Sequence, residues 1–419
     1  MSAPPLRLCE YECRTVDWSA STRAAVTAAA IAWQLEHRLP QPPLSFQGHA
    51  GNQLRTLQYV GLVEAGGVRI EIYPKLDTGL FAGADLTQPR ASTVMGNLLW
   101  LLEESGFDGL VDAGDASVAD SPESLSDLLA WLFARRLGHQ LSIGLPHEYH
   151  DHADDLSTVR GSIQFSRQAT VHFSRPDVIA CRWDELTADT PLSRLLKGAT
   201  TTLLHLTRLP GAATALRHAH SCLESAGHAA PARLLHEASQ IRWSRLNARW
   251  RSCHDLAIAI LRGTGREIHA GQQESFVFLL DMNQLFESYA ATWLKRKFQR
   301  PIQQQKFIGK LLRQGPHLFS QIPDFLWHDA TNQIWIGDAK YKMPKDAAWP
   351  KIDDIRQLIC YGQLAAQAYQ KSRTSLMLLY PTTGEEMQED LITFDSQTLI
   401  LQSVRLLKPV PTLFPPSFS

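Results

Sequence analysis

The chain has 419 residues, which is enough for two or three domains with separate cores. Its formal net charge of −1 excludes the strong basic excess of a protein that binds DNA unaided, so basic residues would be concentrated locally or a partner would supply affinity. Six scattered cysteines form no C-x-x-C pair, which argues against a disulfide framework or zinc knuckle and favours a cytoplasmic protein. The N-terminal residues lack the pattern of a secretory signal, and Ala24–Trp33 is too short to span a bilayer.

Residues 1–145 are predicted to form a mixed α+β N-terminal domain. Their strongest signal is Ala65-Gly-Gly67 between two apolar segments, which is typical of a β-hairpin. The predicted elements are a strand over Leu6–Trp18, a helix over Ser21–His37 capped by Ser21, a hairpin of Thr56–Glu64 and Val68–Tyr73, and helices over Asn97–Glu104 and Glu123–Leu141.

Residues 146–265 are predicted to be a mainly helical middle region, with short strands over 158–163 and 178–183. In the polar stretch His147–Asp155, the order His-x-His-x-Asp-Asp comes within one residue of a His-x-His-x-Asp-His metal motif. We interpret this stretch as a solvated loop, because Asp155 replaces the last histidine and no apolar strand precedes it to hold ligands rigidly. The motif G-x-x-x-x-G-K-[ST] does not occur in the sequence, so the chain itself is expected to bind no nucleotide.

Residues 266–407 have the pattern of one compact α/β/α domain, followed by a Pro-rich tail over 408–419. The predicted fold class is therefore α/β and multidomain. The elements expected in this last domain are helices over Asp281–Phe298 and Ile352–Gln370, and strands over Gln303–Leu312, Leu318–Trp327, Gln333–Tyr341, Ser375–Tyr380 and Leu391–Leu401.

The centre of this domain is predicted to be a β-hairpin of residues 322–327 and 333–341, which are rich in aromatic and β-branched residues. If the hairpin is symmetrical about Thr331, residues whose numbers sum to 662 face each other. This register places Asp324 opposite Asp338. Two facing carboxylates repel each other unless a positive group lies between them.

Lys340 is two residues beyond Asp338, so strand alternation places its ammonium group on the same face. Two acids and a lysine favour a site for Mg²⁺ and a phosphate, since Mg²⁺ takes one or two carboxylates and keeps several waters. The alternative is a surface hairpin that happens to carry charges, because an acid-x-Lys triplet arises about once by chance in a chain of this length. In this chain the acid-x-Lys triplet occurs once, and it lies within an apolar predicted strand.

Three elements follow in order: Pro323-Asp324, then Asp338-Ala-Lys340, then Gln357-x-x-x-Tyr361 on a predicted helix. This order resembles the PD-(D/E)xK nuclease superfamily, and the last element resembles its RecB-like branch. The resemblance implies a catalytic set of Asp324, Asp338, Lys340, Gln357 and Tyr361.

Asp324, Asp338 and the backbone oxygen of Ala339 would bind Mg²⁺, for which Mn²⁺ could substitute, and the sequence leaves open one or two metal ions. Lys340 would position the attacking water and offset charge on the phosphate. Gln357 and the nearby Tyr361 would hydrogen-bond the water or phosphate and brace the lysine, or they could be interior helix residues.

Further acidic and basic residues lie near this set in the sequence. Glu287 could supply another metal ligand, as in nucleases that resemble this chain, or could be a surface residue paired with Lys295 or Arg296. The basic residues could follow a DNA backbone, or could only keep a helix end solvated. The predicted DNA-binding residues are Lys295, Arg296, Lys297, Arg300 and Lys342.

Several segments together resemble McrC, the nuclease subunit of McrBC 5-methylcytosine-dependent restriction systems. They are Ile70-Glu-Ile-Tyr-Pro-Lys75, Arg160-Gly-Ser-Ile163, Asp184–Pro191 followed by Arg194-Leu-Leu-Lys197, Leu285-Phe-Glu-Ser-Tyr289, Pro323-Asp324, Asp338-Ala-Lys-Tyr-Lys342 and Asp354–Tyr361. Ser193 stands where the family pattern has Asn, and residues 208–240 match nothing in it.

This resemblance implies a role in type IV, modification-dependent restriction, which is a form of antiviral defence. A McrB-like AAA+ GTPase hexamer would recognise methylated double-stranded DNA and translocate, and this chain would stimulate the GTPase and cut. Residues 1 to about 260 would dock on the motor, with the domain 1–145 as the expected docking module. Two alternatives remain open, a self-sufficient RecB-like repair nuclease and a non-catalytic adaptor of an AAA+ motor.

Overall fold

The computed structural model describes residues 5–81, 85–105, 124–245, 247–264, 275–312, 318–342, 350–370, 374–392 and 398–408. The chain forms two compact units, residues 1–128 with 275–419, and residues 129–274. Among the helices within the described ranges, none is long and apolar enough to cross a membrane. Mixed α and β structure, as predicted, is present in both units.

The N-terminal part of the first unit contains β1 (Leu6–Cys9), β2 (Cys13–Thr15), α1 (Ala20–Glu36), β3 (Leu44–Gln47), β4 (Gln53–Thr56), β5 (Tyr59–Ala65), β6 (Val68–Tyr73), α2 (Thr78–Phe81) and α3 (Gln88–Glu104). The predicted hairpin is confirmed, since β5 and β6 pair antiparallel with Ala65 opposite Val68. Gly66 and Gly67 form its turn with φ of 59° and 78°, a conformation that glycine adopts at little cost.

Two N-terminal predictions need correction. The predicted strand Leu6–Trp18 is split into β1 and β2, because the chain turns at Glu10 and Tyr11, where Tyr11 has a φ of 54°. The cap of α1 is Ser19 rather than Ser21, since the Ser19 hydroxyl accepts the backbone N–H of Thr22.

The next elements are α4 (Leu125–Ile143), β7 (Glu148–Leu156), β8 (Ser162–Ile163), α5 (Phe165–Thr170), β9 (Ile179–Thr187), α6 (Pro191–Leu206), α7 (Pro210–Cys222), α8 (Pro231–Ser239), a 3₁₀ turn (Ala248–Trp250) and α9 (Arg251–Thr264). Proline is the first residue of three of these helices, where its missing N–H costs no hydrogen bond. The helical pattern predicted for the middle region is thus observed.

The polar stretch that we interpreted as a loop is strand β7, so that prediction was wrong. β7 pairs antiparallel with β9, and the pairing includes a two-bond contact from the Arg182 guanidinium to Asp151 at 2.7 and 2.6 Å. The His152 ring stacks on Trp183 at 5.6 Å. β7 lies at a sheet edge with both faces largely exposed, so it lacks the apolar alternation by which a strand is recognised.

The C-terminal part of the first unit contains β10 (Phe276–Asp281), α10 (Met282–Phe298), β11 (Gln303–Gln304), β12 (Gly309–Leu312), β13 (Leu318–Gln321), β14 (Phe325–His328), β15 (Ile334–Ala339), α11 (Ile352–Ala368), β16 (Ser375–Thr382), β17 (Gln388–Ile392) and β18 (Thr398–Arg405). Its main sheet has the order β11-β14-β15-β16-β18-β17, with β15, β16 and β18 parallel.

Each face of this sheet is covered by one helix. Leu326 and Ile336 lie in a core cluster with Leu358 of α11. The alternate residues Trp327 and Trp335 contact the ring of Phe298 on α10 at 5.3 and 6.0 Å. The α/β/α layering expected from the sequence is therefore the arrangement observed.

The first unit combines the ends of the chain that the sequence assigned to separate domains, 1–145 and 266–407. The reason is β10, an unpredicted strand that pairs antiparallel with β5 and completes the N-terminal sheet β1-β6-β5-β10. Its residues form a short continuous apolar run, from which periodicity alone does not predict a strand. The predicted tail lies outside the described residues except for Lys408.

Candidate nuclease site

The hairpin of β14 and β15 places the predicted acids together. Its pairs run from His328 opposite Ile334 to Phe325 opposite Gly337, and each pair sums to 662, as the sequence predicted. Asp324 comes one residue before β14, and its Oδ2 accepts the backbone N–H of Ala339 at 2.8 Å. This bond fixes the carboxyl of Asp324 against the end of β15.

Lys340 and Asp338 form an ion pair, with 2.6 Å between Nζ and Oδ2. The Asp338 side chain is 2% exposed and that of Lys340 is 19% exposed. The backbone N–H of Lys340 donates to the Leu379 carbonyl at 2.9 Å, so the ladder with β16 continues past Ala339. Asp324, Asp338 and Lys340 therefore meet at one end of the hairpin.

The electrostatics are those of a site that favours a cation. Burial, and then the neighbouring Asp324 carboxylate, raise the pKa of Asp338 to about 7. Burial likewise raises the pKa of Asp324. Burial alone would lower the pKa of Lys340, but the two aspartates outweigh it and raise that pKa. Lys340 therefore stays protonated beside carboxyl groups that are costly to ionise.

Gln305 is a site residue that the sequence did not reveal. Its Nε2 donates to Glu287 Oε1 at 2.6 Å and lies 3.3 Å from Asp324 Oδ1, while its backbone N–H donates to the Asp324 carbonyl at 3.1 Å. Gln305 has a φ of 49°, which turns the chain after β11 toward the acids. We predicted a strand through this position. Gln305 is the last of three consecutive glutamines, and nothing in the sequence distinguishes it from the other two.

Glu287 lies on α10 next to this group. Burial, and then the Asp324 carboxylate, raise its pKa. Of the two partners considered for a surface glutamate, Arg296 forms its ion pair with Glu104 instead. Glu287 is thus joined to Asp324 through the side chain of Gln305.

Gln357 and Tyr361 lie one turn apart on α11, as predicted, and contact each other. The Gln357 Nε2 donates to the Tyr361 hydroxyl oxygen at 2.7 Å. Tyr361 is 7% exposed, and burial, more than the Asp338 and Asp324 charges, raises its pKa. The structure therefore supports an interior position for Tyr361 on α11, with the exposed Gln357 as its partner.

The predicted DNA-binding residues divide into two groups. Lys295 and Arg300 are exposed. The other three have partners within the chain: Arg296 pairs with Glu104, Lys297 donates to Gln402 Oε1 at 2.6 Å and lies over the Trp293 ring, and Lys342 bonds both oxygens of Asp354 at 2.9 and 3.1 Å. DNA contact by these residues stays a prediction.

The model of the family described as "McrBC 5-methylcytosine restriction system component" matches residues 54–381, which is most of the chain. The chain belongs to this family. The McrBC-family chain has no match among curated proteins. Its fold is similar to that in a refined half-complex from the tetradecameric assembly of Thermococcus gammatolerans McrB AAA+ hexamers with bound McrC, at 17% identity, TM-score 0.61, and coverage of 96% of this chain and 94% of that one. A chain in the cryo-EM structure of the Thermococcus gammatolerans McrBC complex has 17% identity and TM-score 0.45, with coverage of 70% and 88%.

The donor atoms of this McrBC-family chain fit a hard divalent cation. Within the described ranges, no three His, Cys, Asp or Glu side chains form a preassembled metal cluster. Mg²⁺ does not require one, because it is held by one or two carboxylates and retains waters. Burial raises the pKa of both aspartates, and the Asp324 carboxylate further raises that of Asp338, which is an environment that such a cation relieves. The N–H of Ala339 donates to Asp324, and in a strand the C=O of the same residue points to the same side.

Proposed function

We propose that this chain is the McrC-like, Mg²⁺-dependent DNA endonuclease subunit of a type IV, modification-dependent restriction system. The observation that carries the proposal is the convergence of Asp324, Asp338 and Lys340 at one hairpin end in an McrBC-family chain. The reaction would be hydrolysis of a phosphodiester, in which water attacks phosphorus and one P–O bond breaks.

The residues divide the chemistry between them. Asp324 and Asp338, with the Ala339 carbonyl, would hold Mg²⁺, and Glu287, which the Gln305 amide joins to Asp324, could supply a further ligand. The bound ion would supply Lewis acidity and lower the pKa of water. Lys340 stays protonated, so its role would be to hold the attacking water and to offset charge on the phosphate.

Gln357 and Tyr361 would take supporting roles from α11. The exposed Gln357 amide could hydrogen-bond the water or a phosphate oxygen, while its bond to Tyr361 fixes its orientation. Tyr361 would brace this arrangement from the buried side of α11.

An AAA+ partner is the second part of the proposal. The chain is near neutral and encodes no P-loop, so neither strong DNA affinity nor nucleotide hydrolysis is expected from it alone. The similar solved structure contains McrB AAA+ hexamers with bound McrC, which supports a McrB-like GTPase hexamer as the partner. That motor would select methylated double-stranded DNA, and this chain would stimulate its GTPase and cut.

The test is cleavage of methylated and unmethylated DNA by the purified chain, with and without its AAA+ partner, GTP and Mg²⁺. The proposal predicts cutting only when methylated DNA, partner and GTP are all present. Cutting of unmethylated DNA by the isolated chain would instead indicate a RecB-like repair nuclease. Stable binding to the motor without cleavage in Mg²⁺ or Mn²⁺ would indicate a non-catalytic adaptor.

A further inference from the structure

A buried carboxyl group lies behind the candidate site and takes no part in the chemistry above. Glu10 follows β1 and is 1% exposed. Its Oε1 accepts the Tyr341 hydroxyl at 2.7 Å and the backbone N–H of Lys75 at 2.9 Å. Its Oε2 is buried and has no hydrogen-bond partner in the described part of the chain.

Tyr341 connects this carboxyl group to the site. It directly follows Lys340 and is 7% exposed. Its ring contacts Phe286 at 5.9 Å, and Phe286 directly precedes Glu287 on α10. In this buried group, Glu10 comes from the N-terminal sheet. Tyr341 and Phe286 are the sequence neighbours of the site residues Lys340 and Glu287.

Packing alone does not explain a glutamate at this position. A buried carboxyl with an unpartnered oxygen costs free energy that an apolar side chain would avoid. Burial raises the pKa of Glu10 to about 7, which reflects that cost. What Glu10 adds is a directed hydrogen bond, which fixes the place of the Tyr341 ring more narrowly than apolar contact does.

The backbone of residues 340–342 is held by contacts from several elements. The Lys340 N–H bonds the Leu379 carbonyl of β16, and the Lys342 ammonium bonds Asp354 of α11. Between them, the Tyr341 hydroxyl bonds Glu10. Loss of the central contact would leave the backbone at Lys340 held by its ladder bond, by the Lys342 N–H that donates to its carbonyl at 2.7 Å, and by the ion pair of Lys342 with Asp354.

We propose that Glu10 is a positioning residue, which holds Lys340 in its catalytic place through the Tyr341 hydroxyl and so joins the N-terminal sheet to the nuclease site. This inference rests on the proposed function for its catalytic consequence. The N-terminal sheet belongs to the segment proposed to dock on the motor, so the contact gives that segment a direct mechanical connection to the lysine.

The experiment compares Tyr341→Phe, Glu10→Leu and Glu10→Gln in the full chain with its AAA+ partner. Phe keeps the ring and loses the hydroxyl, Leu loses the acceptor, and Gln keeps an acceptor oxygen. The matched control is Tyr73→Phe, which removes another buried tyrosine–glutamate bond, 3.0 Å from the Tyr73 hydroxyl to Glu71, in the same sheet. Two quantities are measured: amide hydrogen exchange of residues 338–342, and single-turnover cleavage with saturating DNA and Mg²⁺.

In Tyr341→Phe and Glu10→Leu, exchange at 338–342 should be about tenfold faster and cleavage about tenfold slower. Glu10→Gln should stay near wild type in both. The positioning role is contradicted if exchange in both variants stays at the wild-type rate, or if wild type cuts and both variants cut as fast as it does. It is also contradicted if Glu10→Gln is as impaired as Glu10→Leu, or if Tyr73→Phe has the same effects as Tyr341→Phe. A wild-type chain that cuts nothing would overturn the proposed function, while exchange would still decide whether Glu10 holds this backbone.

Discussion

Two buried carboxyl groups, Asp338 and Glu10, have pKa values raised to about 7, and burial is the main cause for both. They differ in what surrounds them. Asp338 faces Asp324 and Lys340, where we propose that a cation and a phosphate bind. Glu10 faces a tyrosine hydroxyl and a backbone N–H, which is a place for a structural hydrogen bond. The surroundings, rather than the raised pKa, distinguish a chemical role from a positioning one.

The raised pKa of Asp338 predicts a pH dependence of stability in metal-free buffer. Between its ordinary value of 3.8 and about 7, the folded state binds more protons than the unfolded state, so the free energy of unfolding falls as the pH rises. Asp338→Asn removes this titrating group, so the free energy of unfolding should fall less steeply as the pH rises. Urea unfolding from pH 4 to about 8 measures this dependence. The exposed Asp390→Asn is the control. Parallel wild-type and Asp338→Asn curves would contradict the prediction.

The proposed binding of Mg²⁺ predicts a second effect that depends on Asp338. Mg²⁺ that binds only the folded site stabilises by mass action, so a millimolar excess at pH 8 should raise the melting temperature of wild type. In Asp338→Asn this rise should be absent, because one of the two buried carboxylates is lost. An equal rise in both proteins would place the bound Mg²⁺ elsewhere.

Gln305 gives a prediction that separates placement from chemistry. Gln305→Ala removes the amide that joins Glu287 to Asp324, and should slow cleavage by about ten- to a hundredfold because the acids lose their fixed spacing. Its neighbour on β11 is the matched control, since Gln304 is exposed. Cleavage rates at saturating Mg²⁺ are the measurement, and equal rates for Gln305→Ala and Gln304→Ala would rule out this role.

At the scale of elements, the sequence predicts best where one residue pattern has one structural solution. The symmetry of the hairpin about Thr331 gave its register, because a slip by one residue would turn Leu326 and Ile336 away from the core cluster. The sequence reading failed at β7, which has no buried face and carries exposed cross-strand pairs such as Asp151 with Arg182. The position of Gln305 depends on a φ of 49° and on contacts with Asp324 and Glu287, which are distant in the sequence. The sequence pattern around Gln305 predicts neither.

The start of α11 is tied to the end of β15 by Lys342 and Asp354. Asp354 is 6% exposed, so Asp354→Ala would leave Lys342 without its partner and should lower the free energy of unfolding by about 1–3 kcal/mol. Asp353→Ala, next to it and exposed, should change the same quantity by less than about 0.5 kcal/mol. Urea unfolding measures both, and equal losses would show that the Lys342 contact does not stabilise the helix start.

At the scale of the whole molecule, β10 matters most for the organisation of the chain. It leads directly into α10, which carries Glu287, and it pairs with β5 of the N-terminal sheet. The sequence predicted separate domains on either side of the middle region because composition shifts along a chain do not show which distant strands will pair. The near-neutral charge led us to expect a partner for DNA binding, which is now part of the proposed function.

The most direct test of the nuclease site is single-turnover cleavage of methylated DNA by wild type and Asp338→Ala, in the presence of the AAA+ partner, GTP and Mg²⁺. We expect Asp338→Ala to lower the cleavage rate by about a thousandfold or more, while the folded protein still stimulates the GTPase to the wild-type level. Asp390→Ala should leave both activities unchanged. Cleavage by Asp338→Ala at the wild-type rate would contradict the assignment of the site.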